Sequence, residues 1–288
     1  MLPASRFKKP EMSSAEQELW RNLIRERCGI FFTTGRLYFM EQRIWERMKV
    51  YDLKSYRDFY NFIAFNPKGK LEWPHLRDQL LNNETSFFRH RPSYDALIEQ
   101  AVPQLVARKR QVQDLTLNFW SAGCSGGQEA YSIAMTLLER IDPAQWQIRI
   151  SGTDISQTQL RKARDGIYKG YNVRYMPDYY RKKYLEQTSG KHGSTFRVRP
   201  DVQRLVQFGF LNLHKPSNYW VAGQDIIFCH NVLIYFTLDD RIAIVQRLAQ
   251  KLNVGGYLFL GPAEVVGLRL PNMKLINWQD VLVYQKTG

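Results

Sequence analysis

The sequence predicts an α/β protein in which an all-helical N-terminal domain precedes a largely parallel sheet. Three observations support this prediction. Residues 13–82 carry helical periodicity without strand alternation, strands alternate with helices from about residue 92, and residues 118–140 combine a strand, a glycine-rich turn and a helix. In such sheets ligands bind beyond the carboxyl ends of the strands, so the functional residues are expected there.

Composition limits the class of protein and the charge of its partner. The chain has 288 residues, with 41 Lys and Arg against 27 Asp and Glu and a formal net charge of +14. This favours an anionic partner such as nucleic acid, anionic lipid or an acidic protein surface. The sequence shows no apolar run of about 18 residues and no secretory signal, so we expect no membrane insertion and a cytoplasmic location. The three cysteines lack metal-site spacing, so no metal site is expected.

Four helices are predicted in residues 13–82, after a basic tail at 1–12 that we expect to be disordered. Ser13 or Ser14 begins the first helix as part of a capping box. The second helix, about 35–49, carries three arginines on a face beside its apolar stripe: Arg36, Arg43 and Arg47. Such a face is either simply solvated or a docking surface for an acidic helix.

The second domain, residues 93–288, is predicted to contain five strands and a closing hairpin. The strands lie at 115–122, 147–153, 206–210, 225–229 and 256–261, and the hairpin at 275–278 and 281–285. They alternate with helices at about 93–110, 128–140, 156–164 and 237–252. Residues 170–205 interrupt this alternation. Gly190, His192-Gly193 and the alternating residues 196–199 indicate a small antiparallel β insertion there.

Polar residues stand near the ends of successive predicted strands. Glu129 follows the glycine-rich turn and Asp154 ends the second strand, while Asn212 and Asn231 follow the third and fourth. An acidic residue at such a position commonly accepts hydrogen bonds from ribose hydroxyls. Each residue alone is more simply an ordinary loop residue, but the four together predict a nucleoside-type ligand. The turn is neither GxGxxG nor a Walker loop, which argues against a phosphate site.

The segment that joins the two domains, residues 83–92, is polar, then doubly aromatic, then basic. A bare linker would be less aromatic, so we expect these residues to contribute to the ligand site. Arg89 within this segment has the fork of donors that clamps a carboxylate in bidentate fashion.

Four segments resemble motifs of the chemotaxis-receptor methyltransferases, the CheR family. Asn83–Arg89 resembles that family's NxTxFFR, Trp120–Ala134 its SxGEEPYSIA loop, Gly152–Ile155 its ATDID, and Ile227–Phe236 its IFCRNVxIYF. The resemblance extends over about residues 14–288. Four positions depart from the family pattern: Gly126 for Thr, Gln128 for the first Glu, Ala130 for Pro, and His230 for Arg.

The resemblance implies a Rossmann-like, S-adenosylmethionine-dependent O-methyltransferase that methylates receptor glutamates and releases S-adenosylhomocysteine. It implies a cofactor site formed by Asn83, Thr85, Arg89, Glu129, Asp154, Asn212, Leu213, Asn231 and Val232. Asp154 would hold the ribose, and Arg89 would lie near the cofactor carboxylate or the incoming glutamate. As catalytic residues we predict Arg89, which orients the charges, and Tyr235 or Phe88, which shields the site and faces the sulfonium. Tyr235 is equally compatible with a core position.

The resemblance also gives the basic second helix a partner. Arg36, Arg43 and Arg47 become the predicted docking surface for the cytoplasmic signalling domain of methyl-accepting receptors. The β insertion is predicted to offer an edge strand to a receptor tail peptide. We expect a monomer with no nucleic-acid partner. Two alternatives stay open: a methyltransferase of another substrate or related pathway, and a non-catalytic cofactor-binding regulator.

Overall fold

The computed structural model describes residues 9–190 and 193–288. The chain divides into two compact units. The helical unit comprises Met1–Asn82 with Tyr235–Thr237, and the sheet unit comprises Asn83–Ile234 with Leu238–Gly288. Within the described ranges, no helix is both long and apolar enough to cross a membrane.

The helical unit is built from α1 (Ser14–Cys28), α2 (Leu37–Met48), α3 (Tyr56–Phe65) and α4 (Pro67–Leu80). The predicted start of α1 is confirmed, because Ser13 and Glu16 form a capping box that satisfies both of their backbone amides. Trp20 and Phe59 pack in the fully buried core of this unit, with ring centroids 5.6 Å apart.

The predicted disordered tail, residues 1–12, falls partly outside the described residues, which begin at Lys9. The last part of the tail is attached to the helical unit. Met12 is 5% exposed, and Lys9 Nζ lies 3.3 Å from Glu41 Oε1. The expectation of disorder is therefore wrong for residues 9–12, because an apolar side chain just ahead of the helix cap packs onto the core.

The sheet unit contains two groups of strands. The strands are β1 (Thr116–Ala122), β2 (Gln147–Asp154), β3 (Ile167–Lys169), β4 (Leu185–Gly190), β5 (Gly193–Val198), β6 (Val206–Phe210), β7 (Gln224–Cys229), β8 (Leu252–Leu260), β9 (Met273–Trp278) and β10 (Val281–Lys286). The helices are α5 (Arg91–Ala96), α6 (Val102–Gln111), α7 (Gln128–Leu138), α8 (Gln157–Asp165), α9 (Gly170–Val173), α10 (Asp178–Tyr184), α11 (Pro200–Gln203) and α12 (Leu238–Lys251).

The large sheet has the strand order β6-β2-β1-β7-β8-β10-β9, and β6, β2, β1, β7 and β8 are parallel. The chain leaves β1 toward β2 and β6 on one side and continues with β7 and β8 on the other. The strand order therefore reverses beside β1, and the carboxyl ends of β1, β2 and β7 border the crevice where such sheets bind ligands. The predicted closing hairpin is the antiparallel pair β9 and β10.

The predicted β insertion is a separate antiparallel sheet with the order β3-β5-β4. It begins at Ile167, a few residues before the predicted boundary, and His192 in its predicted turn lies outside the described residues. The predicted helix at 93–110 is divided into α5, a π-helical segment at Leu97–Ala101, and α6. Pro103 in the first turn of α6 accounts for the division, because proline lacks the N–H that would continue the α-helical bonding.

Candidate functional site

The turn between β1 and α7, residues 123–127, lies against the ends of β2 and β7. The amides of Gly123 and Cys124 donate to the Thr153 carbonyl at 2.7 and 2.9 Å. Gly123 has a φ of +86°, and a Cβ at this position would stand 2.4 Å from Val232 Cγ2. Glycine therefore allows the loop after β7 to approach the turn closely, and the ends of the three strands come together.

Asp154 ends β2, and two backbone donors fix its carboxylate. The amide of Ser125 donates to Oδ2 and the amide of Ser156 donates to Oδ1, both at 2.8 Å. The residue is half-buried, so the carboxylate stays at the edge of the crevice. The position predicted for a ribose-binding acid therefore holds a carboxylate of fixed orientation.

Glu129, in the first turn of α7, is largely buried beside His230. Its Oε1 accepts a hydrogen bond from Ser121 Oγ at 2.7 Å, and its Oε2 lies 3.5 Å from His230 Nδ1. Burial raises the pKa of Glu129 to about 8 and lowers the pKa of His230 to about 3. At pH 7 both side chains are therefore mostly uncharged, and their contact is polar rather than ionic.

Glu264 was not predicted, yet it shapes the loop that follows β7. Its buried carboxylate accepts hydrogen bonds at 2.6 to 2.9 Å from four backbone amides, those of Gly261, Asn231, Val232 and Leu233. Asn231 takes a φ of 60° there, so the backbone of two predicted cofactor residues depends on this carboxylate. The sequence signal is the Gly-Pro-Ala-Glu pattern after β8, which has the form of a helix start closed by an acidic side chain.

Asn212 and Leu213 follow β6, and both are buried. Asn212 Oδ1 accepts a hydrogen bond from the His214 amide at 3.0 Å. The Leu213 carbonyl accepts one from the Tyr219 hydroxyl at 2.8 Å and one from Arg247 Nη2 at 3.0 Å. These bonds fix the loop after β6. Because β1, β2, β6 and β7 are parallel, the four polar residues predicted near their ends, Glu129, Asp154, Asn212 and Asn231, lie around the carboxyl edge of one sheet.

The Asn83–Arg89 segment is anchored by its two aromatic residues. Phe87 packs against Tyr168 with ring centroids 4.9 Å apart, and Phe88 packs against Tyr180 at 4.4 Å. Both phenylalanines are buried in the hydrophobic core of the sheet unit. Phe88 is therefore a core residue, and the structure gives no support to its predicted role of facing a sulfonium.

A cavity of about 500 Å³ lies beside this segment. Asn83, Thr85 and Arg89 line it, whereas the predicted residues at the strand ends do not. Arg89 is exposed, and its Nη1 donates to the Glu84 carbonyl at 2.8 Å. Ser125 Oγ, in the turn after β1, donates to the Asn83 carbonyl at 3.4 Å. The predicted cofactor residues are therefore divided between the strand ends and an adjoining cavity.

Comparison with known proteins decides the family. A model of the CheR methyltransferase all-alpha domain matches residues 15–81, and a model of the CheR methyltransferase SAM binding domain matches residues 83–282. Chemotaxis protein methyltransferase 2 of Vibrio cholerae is 32% identical over 85% of this chain and 83% of the relative. The chemotaxis protein methyltransferase of Escherichia coli K12 is 31% identical over 88% of this chain and 85% of the relative. The chain belongs to the CheR methyltransferase family.

As a CheR methyltransferase, the protein uses S-adenosylmethionine as its cofactor, and its residues fit that ligand. The fixed carboxylate of Asp154 suits ribose hydroxyls. The part that Glu129 plays in binding the cofactor stays a prediction. The predicted family, fold class and cofactor are confirmed.

The helical unit of this CheR protein holds the other predicted catalytic residue, Tyr235. Its carbonyl accepts a hydrogen bond from the Phe31 amide at 2.8 Å, and the Arg36 guanidinium lies 5.4 Å from the centroid of its ring. These contacts belong to the helical unit and do not include the residues at the strand ends. The catalytic role of Tyr235 stays a prediction.

Of the three predicted docking arginines, Arg47 has an internal role. Its guanidinium forms a bidentate ion pair with Glu72, with Nη2 2.8 Å from Oε2. Glu72 is 2% exposed, so Arg47 neutralises a buried carboxylate and does not present its charge to a partner. Arg43 is half-buried on α2, where it pairs with Glu46 at 3.1 Å and its guanidinium lies 5.0 Å from the centroid of the Phe39 ring. The docking surface predicted from the sequence is thereby reduced to Arg36 and Arg43.

Proposed function

We propose that this CheR-family enzyme transfers the methyl group of S-adenosylmethionine to glutamate side chains of methyl-accepting receptors. The observation that carries the proposal is the match of both CheR domains, over residues 15–81 and 83–282. Relatives that share most of its length are chemotaxis protein methyltransferases. The products are a glutamate methyl ester and S-adenosylhomocysteine.

The chemistry of the acceptor agrees with the titratable groups of the site. A glutamate carboxylate has an ordinary pKa of about 4.3 and is already a nucleophile at pH 7, so no general base is required. The buried imidazole of His230 has its pKa lowered to about 3 and is a weak base. The cofactor supplies an activated methyl group on its sulfonium. The task left to the protein is alignment, which contributes roughly 7–11 kcal/mol to lowering the barrier.

Three side chains receive roles in this proposal. Asp154 holds the ribose hydroxyls, and Glu129 holds a cationic group at the methionine end of the cofactor. Arg89 orients a carboxylate, because the Glu84 carbonyl uses one of its five N–H donors and anchors the guanidinium at the cavity. The backbone and side chains of Asn83, Thr85, Asn212, Leu213, Asn231 and Val232 complete the proposed cofactor site.

The receptor contact is proposed to involve the basic side of α2 and of the turn before it, where Arg36 and Arg43 are half-buried. Arg36 and Arg43 give this surface positive charge, which suits a receptor helix that exposes glutamates. Action on the signalling domain of a receptor would place the enzyme in the cytoplasm, where we also propose that it acts as a monomer. In the β insertion, β4 pairs with β5 on one side, and its other edge suits pairing with a receptor tail peptide.

A methylation assay tests the proposal. The purified enzyme is incubated with methyl-labelled cofactor and a panel of receptor signalling domains, with RNA and DNA as alternative acceptors. Label on receptor glutamates supports the proposal. Label on nucleic acid alone supports a methyltransferase of another substrate, and cofactor binding without transfer to any acceptor supports a non-catalytic regulator.

A further inference from the structure

The cavity beside the Asn83–Arg89 segment is strongly basic. Four cationic side chains line it: Arg89, Lys162, Lys169 and Arg174. Among the described residues that line it, Glu84 is the one carboxylate. All four cations are exposed, and they come from four different parts of the sheet unit: the segment itself, α8, β3 and the end of α9. The fold therefore gathers positive charge from separate elements around one space.

These cations contrast with others in the sheet unit that have an acidic partner. Lys109 lies 3.0 Å from Asp225, and Lys183 lies 3.0 Å from Glu139. Within the described ranges, no carboxylate forms an ion pair with any of the four cations of the cavity. The Arg174 guanidinium instead lies 4.5 Å from the ring of Tyr175. Grouped cations without acidic partners repel one another and attract an anionic ligand.

A second observation points to a ligand. Gln128, at the start of α7, also lines the cavity and is 4% exposed, yet its Oε1 has no hydrogen-bond partner among the described residues. A buried amide oxygen without a donor costs free energy unless a ligand or water supplies one. A Cβ at Gly126 would stand 2.8 Å from this oxygen and 3.4 Å from Gln159 Oε1, so glycine keeps the space over two acceptor oxygens open.

Gln128 makes the cavity more positive than the glutamate usual in the family would. The CheR family usually carries glutamate there, as the motif resemblance indicates, whereas this chain has glutamine. The change replaces an anionic acceptor by a neutral one inside a basic cavity. It favours a ligand that brings its own carboxylates together with N–H donors.

We infer that this cavity binds acidic residues that flank the target glutamate in the protein substrate. A helical protein substrate carries carboxylates for the four cations, and its side-chain amides and hydroxyls can donate to the glutamine oxygens. The exposed rings of Tyr171 and Tyr175, at 65% and 69%, offer apolar contact to neighbouring side chains. The cavity shares Asn83, Thr85 and Arg89 with the proposed cofactor site, so a peptide bound at its other lining residues lies next to the methyl donor. The inference rests on the proposed function for the identity of the substrate.

The test uses the full chain saturated with S-adenosylhomocysteine and a fluorescent helical peptide that carries one central glutamate with acidic residues on both sides. Anisotropy titrations compare wild type with the double variant Lys162→Glu/Lys169→Glu. The matched control is Arg161→Glu/Lys182→Glu, which makes the same change of net charge at two exposed cations outside the cavity. We expect the cavity variant to bind about tenfold more weakly and the control to stay within about twofold of wild type.

One further variant and one further peptide test the inference more strictly. Gln128→Glu, which restores the usual family residue, is expected to weaken binding of the acidic peptide several-fold. A peptide whose flanking glutamates are glutamines is expected to bind all variants alike. The inference is overturned if the two double variants weaken binding equally. A second result would also overturn the inference: the acidic peptide does not bind, but adenosine monophosphate or inorganic phosphate does. Binding of that ligand in the cavity would be shown by its loss in the cavity variant and its retention in the control variant.

Failure of the proposed function would look different. In that case, receptor signalling domains would accept no methyl group from wild-type enzyme, whatever the state of the cavity. If the proposed function holds and only this inference fails, wild type and the cavity variant methylate receptor domains with the same KM.

Discussion

Glu129 Oε2 and His230 Nδ1 lie 3.5 Å apart, and both side chains are mostly uncharged at pH 7. Burial is the main reason that the pKa of Glu129 rises to about 8; the nearby Glu264 adds to the rise, while the hydrogen bond from Ser121 and the charge of Arg89 oppose it. The CheR family usually has arginine where this chain has His230. A permanent cation at that contact would favour the ionised carboxylate, and its loss leaves Glu129 protonated before the cofactor binds.

The first prediction concerns cofactor binding and pH. If Glu129 pairs with a cationic group of the cofactor, it must first lose its proton. Affinity for S-adenosylhomocysteine should therefore rise by up to about tenfold per pH unit below pH 8 and level off above it. Isothermal titration calorimetry between pH 6 and 8.5 measures this dependence, together with the proton released on binding.

Two variants control that experiment. Glu129→Gln should remove the pH dependence, because no proton is left to lose at this position. His230→Arg should move the rise to lower pH, because a guanidinium lowers the pKa of the neighbouring carboxyl group. A wild-type affinity that stays constant over this range would contradict the proposed role of Glu129.

The second prediction concerns stability without cofactor. The pKa of Glu129 is higher in the folded protein than its ordinary value, so the folded state binds the extra proton between about pH 4.5 and pH 8. Stability contributed by this group is complete at low pH and is lost as the pH rises through that interval. Glu129→Gln should therefore be more stable than wild type at pH 8 by about 1–3 kcal/mol, and the difference should shrink toward pH 5. Thermal unfolding at the two pH values tests this prediction. A variant less stable than wild type at pH 8 would show that ionisation of the buried Glu129 carboxyl group does not destabilise the folded protein.

The third prediction separates orientation from binding at Arg89. Arg89→Ala should lower kcat/KM for receptor methylation by about 10- to 100-fold, because the guanidinium no longer orients the carboxylate. Arg91→Ala is the matched control, since Arg91 is an exposed neighbour outside the cavity that pairs with Asp95 at 2.8 Å and lies 5.8 Å from the centroid of the Tyr180 ring. Single-turnover kinetics and calorimetry measure transfer and cofactor affinity separately. Near-normal transfer with unchanged cofactor affinity in Arg89→Ala would refute the clamp.

The fourth prediction distinguishes Arg43 and Arg47, which helical spacing places on the same side of α2. Arg43→Glu should raise the KM for the receptor domain several-fold and change unfolding little, because its ion pair is with the exposed Glu46 and such surface pairs add little stability. Arg47→Ala should instead destabilise the helical unit by about 3–5 kcal/mol, because the buried carboxylate of Glu72 loses its cation and keeps only the hydrogen bond from the Tyr51 hydroxyl.

Thermal unfolding and methylation kinetics check both variants. Arg57→Glu, on the exposed surface of α3, controls for the change in net charge. If Arg43→Glu lost stability and Arg47→Ala lost only receptor affinity, the assignment of the two residues would have to be exchanged. The receptor contact should also weaken as ionic strength rises, since it depends on exposed charges.

The contrast between Arg43 and Arg47 shows what the sequence can predict. Helical spacing places both on one side of α2, and local patterns also predicted the capping box at Ser13 and the polar residues at the strand ends. Spacing does not reveal that Glu72, on another helix, reaches Arg47. The same holds for Glu264, because three of its four backbone partners lie about thirty residues earlier in the loop after β7. Both residues depend on contacts that exist only once distant segments have packed together.

The most direct test of the account is mass spectrometry of receptor signalling domains after incubation with the enzyme and S-adenosylmethionine. The account predicts methyl esters on glutamate side chains, absent when the target glutamates are replaced by glutamine and strongly reduced with Arg89→Ala. Transfer to nucleic acid with none to receptor glutamates would contradict it, as would cofactor binding without any transfer.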